Sequence, residues 1–299
     1  MTIAQGTILA GTSTVPDLDQ AVRAYCDILG LDLVETGRIA PPQADSWDCP
    51  ATAQAAYALL RPASGAPCWF RLVEQPAHAD FIPTTSYGWA AFECAVADAH
   101  AWPERLPGEL FEVRGLPRTP GNLEPTFIAM QTLGPGREML YLNQVLNQPA
   151  DTDLPEARSP IDRIFIVVLA ASDRGACIAW YGRHLGLAHA ADHTLAYSMI
   201  NIAFAHPADH QTTLSMMHNG RMPVVEIDGY PDLARPRPRH PGMLPPGNAL
   251  VSLAVSDLDA CGLDWLAPPQ RLAGPLYDGR RSATAIGPAG ELLECIETG

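Results

Sequence analysis

The chain contains an internal duplication, and this feature limits its possible folds more than any other. Residues 25–31 read YCDILGL and residues 181–187 read YGRHLGL, so the pattern Tyr-x-x-x-Leu-Gly-Leu occurs twice at an offset of 156 residues. An Asp lies eight residues before each Tyr, and an apolar, strand-like run precedes each Asp. Such self-similarity at a fixed distance indicates that one structural unit has been copied along the chain.

Two further pairs of segments support the duplication. AVADAHA at 95–101 matches AVSDLDA at 254–260 at an offset of 159 residues. GPGREMLYL at 134–142 matches GPAGELLEC at 287–295 at an offset of 153 residues. Because the offsets are nearly constant, the sequence predicts two similar halves of about 150 residues each.

Each half divides again into two smaller units. In the first half, a strand over Thr7–Val15 leads to an amphipathic helix from Asp17, with Gly30 as the expected C-terminal cap. The order then restarts with a strand at Trp89–Val96 and a helix from Asp98. The second half repeats the order, and the elements expected there are a strand at Ile164–Ala170, a helix at Ser172–Leu185, strands near Tyr197–Ala205 and Thr212–Met217, a strand at Leu250–Val255, a helix from Asp257 and strands at Ala283–Ile286 and Leu292–Ile296.

The duplication leads to a prediction of two domains. We expect a first domain over residues 1–145, a linker over 146–160 and a second domain over 161–299. Residues 219–247 hold seven Pro and four Gly, a composition too rich in Pro for a helix or a central strand. The sequence therefore predicts a long irregular arm there, either a functional lid or a covering segment.

The composition excludes several classes of function. All 19 basic residues are Arg, so chemistry that needs a Lys amine, such as Schiff-base or pyridoxal-phosphate catalysis, is excluded, and so is a P-loop. The formal net charge of −14 argues against nucleic acid or an anionic membrane as a partner.

The cysteines and the apolar runs give an expectation of location. The seven Cys are scattered and form no CxxC pair, which argues against a disulfide framework or a structural zinc site and favours a reducing compartment. The longest apolar run, Ile164–Ala171, is far shorter than the ~20 residues that span a bilayer, and we identify no secretory signal. We expect a cytoplasmic protein.

Four strand–helix–strand units with these motifs resemble the vicinal oxygen chelate superfamily, which includes glyoxalase I, bleomycin-binding proteins and extradiol ring-cleaving dioxygenases. The resemblance covers nearly the whole chain except the linker and the Pro-rich arm. It implies an α+β fold in which four βαβββ modules are paired into two similar domains. Each domain would be a partly open curved sheet, or half-barrel, with outer helices. Four modules in one chain look most like the two-domain extradiol dioxygenases.

In those dioxygenases the resemblance would imply an iron held by two His and one Glu. Glu294 matches the Glu position, and Tyr141 stands at the same place in the first half. Neither His has a counterpart, because Arg163 starts one of the relevant strands and Leu250 lies near the other imidazole position. A first-row metal needs about three well-placed donors. We therefore predict no metal and no cofactor, and leave iron or zinc at an atypical site as an alternative.

The candidate site residues follow from the same strands. Glu294 lies between Leu292 and Ile296 on an apolar strand face, where a carboxylate is costly unless it is paired or functional. We expect it to act in acid–base catalysis with His218, which ends a strand, and Arg163, whose guanidinium could bind a carboxylate or enolate oxygen. The residues expected to bind substrate are Phe165, Ser252, Leu250 and Tyr197.

Two classes of function remain open from the sequence. The first is an enzyme that acts on a small oxygenated, aromatic or polycyclic molecule by metal-independent acid–base chemistry in the second domain, of lyase, isomerase or hydrolytic type. The alternative is a metal-free small-molecule binding protein of the bleomycin-binding type, and a second alternative is an extradiol dioxygenase with an atypical metal site. In each case the partner is a small molecule, and a homo-oligomer is left open.

Overall fold

The computed structural model describes residues 3–119 and 126–299. Within these ranges the chain forms two curled eight-stranded sheets with a few short helices, which is the α+β arrangement of paired half-barrels predicted from the sequence. Buried side chains occupy both faces of the central strands, and the largest apolar cluster lies between the two sheets and under the helices.

The elements of the first half of the chain are short. Its strands are β1 (Ile8–Val15), β2 (Leu31–Arg38), β3 (Ala56–Pro62), β4 (Trp69–Glu74), β5 (Gly88–Val96), β6 (Glu112–Arg118), β7 (Phe127–Leu133) and β8 (Met139–Val145). Its helices are α1 (Leu18–Arg23), which continues as a π-helical turn over Ala24–Ile28, then α2 (Pro41–Ser46) and α3 (Trp102–Arg105), with 3₁₀ turns at Pro50–Thr52 and Ala99–Ala101.

The second half repeats this plan. Its strands are β9 (Ile161–Ala171), β10 (Ala188–Ala196), β11 (Gln211–Asn219), β12 (Met222–Gly229), β13 (Gly247–Val255), β14 (Gln270–Arg271), β15 (Arg281–Ile286) and β16 (Leu292–Glu297). Its helices are α4 (Arg174–Leu185) and α5 (Ser198–Ala203).

Each sheet joins one module from each half of the chain. The first half-barrel has the strand order β14-β15-β16-β13-β1-β4-β3-β2, so it pairs the first module with the fourth. The second half-barrel has the order β10-β11-β12-β9-β5-β8-β7-β6 and pairs the second module with the third. The central contacts are the antiparallel pairs β1–β13 and β5–β9.

This pairing differs from the expectation that the two modules of each half, within 1–145 and within 161–299, form one domain. The repeat identifies which segments are alike, but it contains no information on which segment supplies the neighbouring strand. That choice depends on contacts between residues far apart in sequence, such as the β1–β13 ladder.

The motif residues of the repeat hold the two half-barrels together. The Tyr25 hydroxyl donates a 2.6 Å hydrogen bond to Oε1 of Glu138, and the Tyr181 hydroxyl donates a 2.9 Å hydrogen bond to Oε1 of Glu291. In each case a helix of one half-barrel is tied to a turn that leads into a strand of the other. Gly186 ends α4 with a φ of +67°, a left-handed conformation that glycine adopts without strain.

Three predictions of local structure are wrong. Residues 258–260, where a helix was expected to start from Asp257, form a turn instead. Residues 222–229 of the expected Pro-rich arm form β12, a strand inside the second sheet, because Pro223 stands near its start and the β-branched Val224, Val225 and Ile227 follow. Residues 198–203 form α5 instead of the strand expected near Tyr197–Ala205.

The rest of the Pro-rich arm covers the first half-barrel. The backbone N–H of Tyr87 donates to the carbonyl of Arg235, and the N–H of Ala51 donates to the carbonyl of Gly242. Leu244 is fully buried in the apolar cluster that contains Trp47. The arm therefore has the covering role that was one of its two interpretations.

In the described part of the chain, no helix combines the length and apolar character needed to cross a membrane. All seven Cys are free thiols in the structure, and six of them are buried.

Candidate functional site

Four strand positions meet at the centre of each half-barrel. In the first half-barrel, Thr12 on β1 is level with Arg71 on β4, and Ser252 on β13 is level with Glu294 on β16. Two of these strands, β13 and β16, are strands on which the family resemblance implies a metal ligand.

The duplication places an equivalent set at the centre of the second half-barrel. Val168 on β9 is level with Glu226 on β12, and Glu93 on β5 is level with Tyr141 on β8. By the repeat offsets, Val168 corresponds to Thr12, Glu226 to Arg71, Glu93 to Ser252 and Tyr141 to Glu294. The two centres therefore have the same geometry but different chemistry.

The centre of the first half-barrel is filled by its own side chains. Glu294 is completely buried, and both of its carboxylate oxygens are occupied. Oε1 accepts hydrogen bonds from Trp47 Nε1 at 3.0 Å and from the Tyr277 hydroxyl at 2.8 Å. Oε2 accepts from Arg71 Nη2 at 3.2 Å and from Ser252 Oγ at 2.5 Å.

Arg71 is the internal cation of this cluster. Its side chain is 2% exposed, and its Nε and Nη1 atoms donate to Thr12 Oγ1 at 2.9 Å and to the Tyr277 hydroxyl at 2.6 Å. Its guanidinium carbon lies 4.7 Å from the centroid of the Trp47 ring, a cation–π contact. The charge of Glu294 is thus neutralised inside a closed cage of aromatic and hydroxyl groups.

Neither centre matches the metal site that the fold family implies. In the first, the Arg71 guanidinium occupies the place of a cation beside Glu294. In the second, the four positions carry two carboxyl groups, a phenol and the aliphatic Val168, without an imidazole. Among the described residues, no group of three or more His, Cys, Asp and Glu side chains could hold a metal ion. We therefore assign no chemistry to a metal here.

The second half-barrel encloses a cavity of about 550 Å³ on its concave face. This volume lies in the range of about 300–1,000 Å³ that is common for small-molecule sites. The apolar wall consists of Phe127, Ala129, Leu154, Ile166, Leu195, Leu214 and Met216. The polar floor consists of Glu93, Gln131, Tyr141, Asn143, Tyr197 and Glu226.

Hydrogen bonds connect most of the floor. Asn143 Nδ2 donates to Oε2 of Glu93. The Tyr197 hydroxyl lies 3.1 Å from Oε1 of Glu226 and 3.1 Å from the Tyr141 hydroxyl, so it joins the two strands of the site.

Burial makes the carboxyl groups of the floor weak acids. Removal from water raises the pKa of Glu226 from 4.5 to about 6, although hydrogen bonds from Tyr197 and Asp228 act in the opposite direction. Burial, followed by repulsion from Glu226, raises the pKa of Glu93 well above its usual value. The same two causes raise the pKa of Asp228, next to Glu226 on the same face of β12. Glu226 is therefore the carboxyl group of this cluster that ionises most readily.

Two residues of the floor and the adjoining Asp228 carry unpaired acceptors. In residues 3–119 and 126–299, Oε1 of Gln131, Oδ1 of Asn143 and Oδ1 of Asp228 are buried without a hydrogen-bond partner. An unpaired buried polar group costs about 1–3 kcal/mol, and such groups often mark a place where a ligand or water belongs.

Four charged or titratable groups outside the floor also line the cavity: Arg118, Asp151, His193 and His218. Arg118 is exposed, and its Nη2 donates to Ser198 Oγ at 2.5 Å. His218, on β11, is partly buried, and this burial lowers the pKa of its imidazole below 6.5.

The structure divides the site residues expected from the sequence between the two half-barrels. His218 and Tyr197 line the cavity of the second half-barrel. Glu294 and Ser252 belong to the closed cluster of the first, and Leu250 packs beside Trp47 in the same half-barrel. Ser252, rather than Leu250, is level with Glu294.

Arg163 and Phe165 lie on β9 and are not among the residues that line the cavity. The ladder between β5 and β9 shifts register opposite Glu93 and Cys94, so Phe165 and Val167 pack in different clusters instead of on one face. The roles proposed from the sequence for Glu294, Arg163, Phe165, Ser252 and Leu250 stay predictions.

The sequence interpretation missed Glu226, Asn143, Gln131 and Trp47. Glu226 had a usable signal, since it stands 155 residues after Arg71, close to the repeat offsets. The other three belong to no repeated motif. Trp47 reaches the first centre from the segment after α2, which has no counterpart in the repeat.

No protein-family model and no curated protein matches the chain. Solved structures do match. Glyoxalase I from Zea mays aligns over 98% of this chain and 92% of its own, with a TM-score of 0.61 and 16% sequence identity. A glyoxylase/bleomycin resistance protein/dioxygenase domain from Frankia sp. aligns with 46% of this chain and 90% of its own, with a TM-score of 0.34 and 18% identity. The full-length match shows that the chain has the vicinal oxygen chelate fold.

Proposed function

We propose that this protein binds a small, largely apolar organic molecule in the cavity of the second half-barrel, without a metal ion. The observation that carries the proposal is the contrast between the two centres. The first is closed by Arg71, Trp47 and Tyr277, whereas the equivalent space in the second is an open cavity with an apolar wall and a polar floor. Small-molecule sites commonly combine such a wall with a few polar groups that orient the ligand.

A neutral fluorescent probe tests the binding site. N-phenyl-1-naphthylamine should bind saturably with increased emission, and chelation by EDTA should leave its affinity unchanged. Ala191 lines the cavity and is partly exposed, so Ala191→Phe should fill space there without disturbing the core and weaken binding at least about tenfold. Ala63, an exposed residue in a turn, provides the control Ala63→Phe, which should bind normally.

Three results would contradict the proposal. They are an absence of saturable binding, binding that Ala191→Phe leaves intact, and binding that EDTA abolishes. Thermal unfolding of both variants establishes that a loss of binding does not come from a loss of fold.

A second candidate function is metal-independent proton transfer on the bound molecule, the enzymatic hypothesis of the sequence interpretation. The supporting observation is the pair of carboxyl groups with different acidities at the floor. Glu226, with its pKa raised by burial to about 6, could accept a proton, and neutral Glu93 could donate one. Such a pair suits an isomerase or lyase that moves a proton next to a carbonyl group.

Exchange of the α-protons of 2-tetralone in D₂O, followed by proton NMR, tests this candidate. The wild-type protein should accelerate exchange over buffer, and Glu226→Gln should lower the rate by about 100-fold or more, in line with general acid–base catalysis. The candidate fails if the wild-type protein exchanges no faster than buffer, or if Glu226→Gln retains the full rate.

A further inference from the structure

We infer that the ligand of the second half-barrel is an organic cation, an amine or guanidine on an apolar body, whose charged head takes the place that Arg71 takes in the first half-barrel. The inference rests on the proposed function, because it concerns the same cavity. It adds the chemical class of the ligand.

The first argument comes from the duplication. In the first half-barrel, the guanidinium of Arg71 contacts Glu294, Tyr277 and Thr12 at 3.2 Å or less. In the second, the residue at the Arg71 position is Glu226, so the internal cation is replaced by an acid. The space that closes around Arg71 in one centre is a cavity in the other.

The second argument concerns charge. Within residues 3–119 and 126–299, no ion pair involves Glu93, Glu226 or Asp228, although the exposed fractions of these residues are 4%, 9% and 1%. The groups that interact with Glu226 are Asp228 and the phenols of Tyr141, Tyr197 and Tyr230, none of which is a cation. Arg118, His193 and His218 also line the cavity and Arg237 acts on Tyr230, but within the described residues none of these four forms an ion pair with Glu226. Buried charges are normally paired, and here the cationic partner is not among these residues.

The third argument concerns hydrogen bonding. The unpaired oxygens of Gln131 and Asn143 belong to side chains that line the cavity, and Glu226 adds carboxylate acceptors. An ammonium or guanidinium group has several donors and no acceptor, so it complements a floor of this kind better than a carbonyl or an ether does.

The walls fit the rest of such a ligand. Phe127, Leu154, Ile166, Leu214 and Met216 provide apolar contacts for its body. Tyr141 and Tyr197 offer aromatic rings beside the carboxyl groups, as Trp47 and Tyr277 do for Arg71 in the first half-barrel.

A matched pair of probes tests the inference. 4-Phenylbutylamine is protonated from about pH 5 to about pH 8, since an alkylamine has a pKa near 10, whereas 4-phenylbutan-1-ol is its neutral counterpart. Calorimetric titration should give a dissociation constant for the amine that falls about tenfold across this interval, as Glu226 ionises around pH 6. At pH 8 the alcohol should bind more weakly than the amine, and its dissociation constant should not change between pH 5 and pH 8.

Isosteric variants connect the effect to the floor. Glu226→Gln should weaken the amine at pH 8 at least about tenfold and remove most of the pH dependence, because a charge-assisted contact is lost. It should weaken binding of the alcohol by a smaller factor than binding of the amine, so that the preference for the amine falls. Glu93→Gln should also weaken binding of the amine. Glu109→Gln, at an exposed loop position, is the control and should behave as wild type.

The outcomes separate this inference from the proposed function. If the alcohol binds as tightly as the amine at pH 8, or if Glu226→Gln affects both equally, the inference is overturned while the binding proposal stands. If neither probe nor N-phenyl-1-naphthylamine binds, both fail.

Discussion

Arg71 and Glu294 form a buried ion pair across the first half-barrel, with Nη2 of the arginine 3.2 Å from Oε2 of the glutamate. The two residues are separated by 223 positions in the chain. Arg71 comes from the last strand of the first module and Glu294 from the last strand of the fourth. The pair therefore depends on the two ends of the chain forming one sheet.

Removal of one partner should be strongly destabilising. Arg71→Met leaves the Glu294 carboxylate buried without a cation, and such a loss costs about 3–5 kcal/mol of unfolding free energy. Urea denaturation, monitored by circular dichroism, measures this loss of unfolding free energy. The control is Arg221→Met, which breaks the exposed pair with Asp153 and should leave the urea midpoint unchanged. Equal midpoints for the two variants would contradict the structural role of the pair.

The stability of the protein should fall as the pH rises from about 4.5 to about 7. Burial raises the pKa of Glu138 and of Glu291 from 4.5 to about 7, so in this interval the folded state holds protons that the unfolded state has released. Each group then removes stability on the order of 3 kcal/mol over the interval.

The double variant Glu138→Gln, Glu291→Gln should make this pH profile shallower, because the amides do not ionise; Glu93, Glu226 and Asp228, whose pKa values are also raised, account for the slope that remains. Denaturation at several pH values gives the slope, and Glu109→Gln should keep the wild-type slope. An unchanged slope in the double variant would show that the two carboxyl groups titrate alike in the folded and unfolded states.

The hydrogen bond from Tyr197 should control the acidity of Glu226. Burial is the main cause that raises this pKa to about 6, and the bond from the Tyr197 hydroxyl, which stabilises the carboxylate, limits the increase. Tyr197→Phe should therefore raise the pKa of Glu226 above 6, as measured by carbon-13 NMR of labelled Glu carboxyl groups. Tyr57→Phe, in the first half-barrel, should leave the pKa of Glu226 unchanged. A pKa of Glu226 that falls in Tyr197→Phe would show that the Tyr197 hydroxyl does not stabilise the carboxylate.

The packing between the half-barrels should be sensitive at Gly11. A Cβ atom there would lie 2.6 Å from Cδ1 of Ile164 and 2.8 Å from Cδ2 of Phe92, both closer than side chains tolerate. Gly11→Ala should cost about 1–3 kcal/mol of unfolding free energy. Gly108→Ala has open space around it and serves as the control. Comparable thermal midpoints for the two variants would count against this contact.

The sequence contained much of the fold. The repeated Tyr-x-x-x-Leu-Gly-Leu segments and the Gly-Pro turns at 134–135 and 287–288 located the four modules, because helix ends and turns have strong local signals. It did not reveal that β1 pairs with β13 and β5 with β9, since such ladders depend on contacts between distant segments.

The candidate site was harder to predict for a related reason. Comparison with a metal site directed attention to Glu294, the one matching ligand, whereas the structure closes that centre with Trp47 and Tyr277 from segments outside the repeat. The open cavity lies in the other sheet. Its floor residue Glu226 lies outside the repeated motifs, and its signal in the sequence was the offset of 155 residues from Arg71.

The crossed pairing of modules has a consequence for how the chain is put together. If each half of about 150 residues were a separate molecule, its first module would pair with the second module of another copy, and its second module with the first module of that copy. This is the arrangement of a two-fold symmetric dimer, in which neither subunit completes a sheet alone. The protein thus has the module pairing of such a dimer within one polypeptide, and because its two halves differ in sequence, one centre is closed by its own side chains while the other is an open cavity.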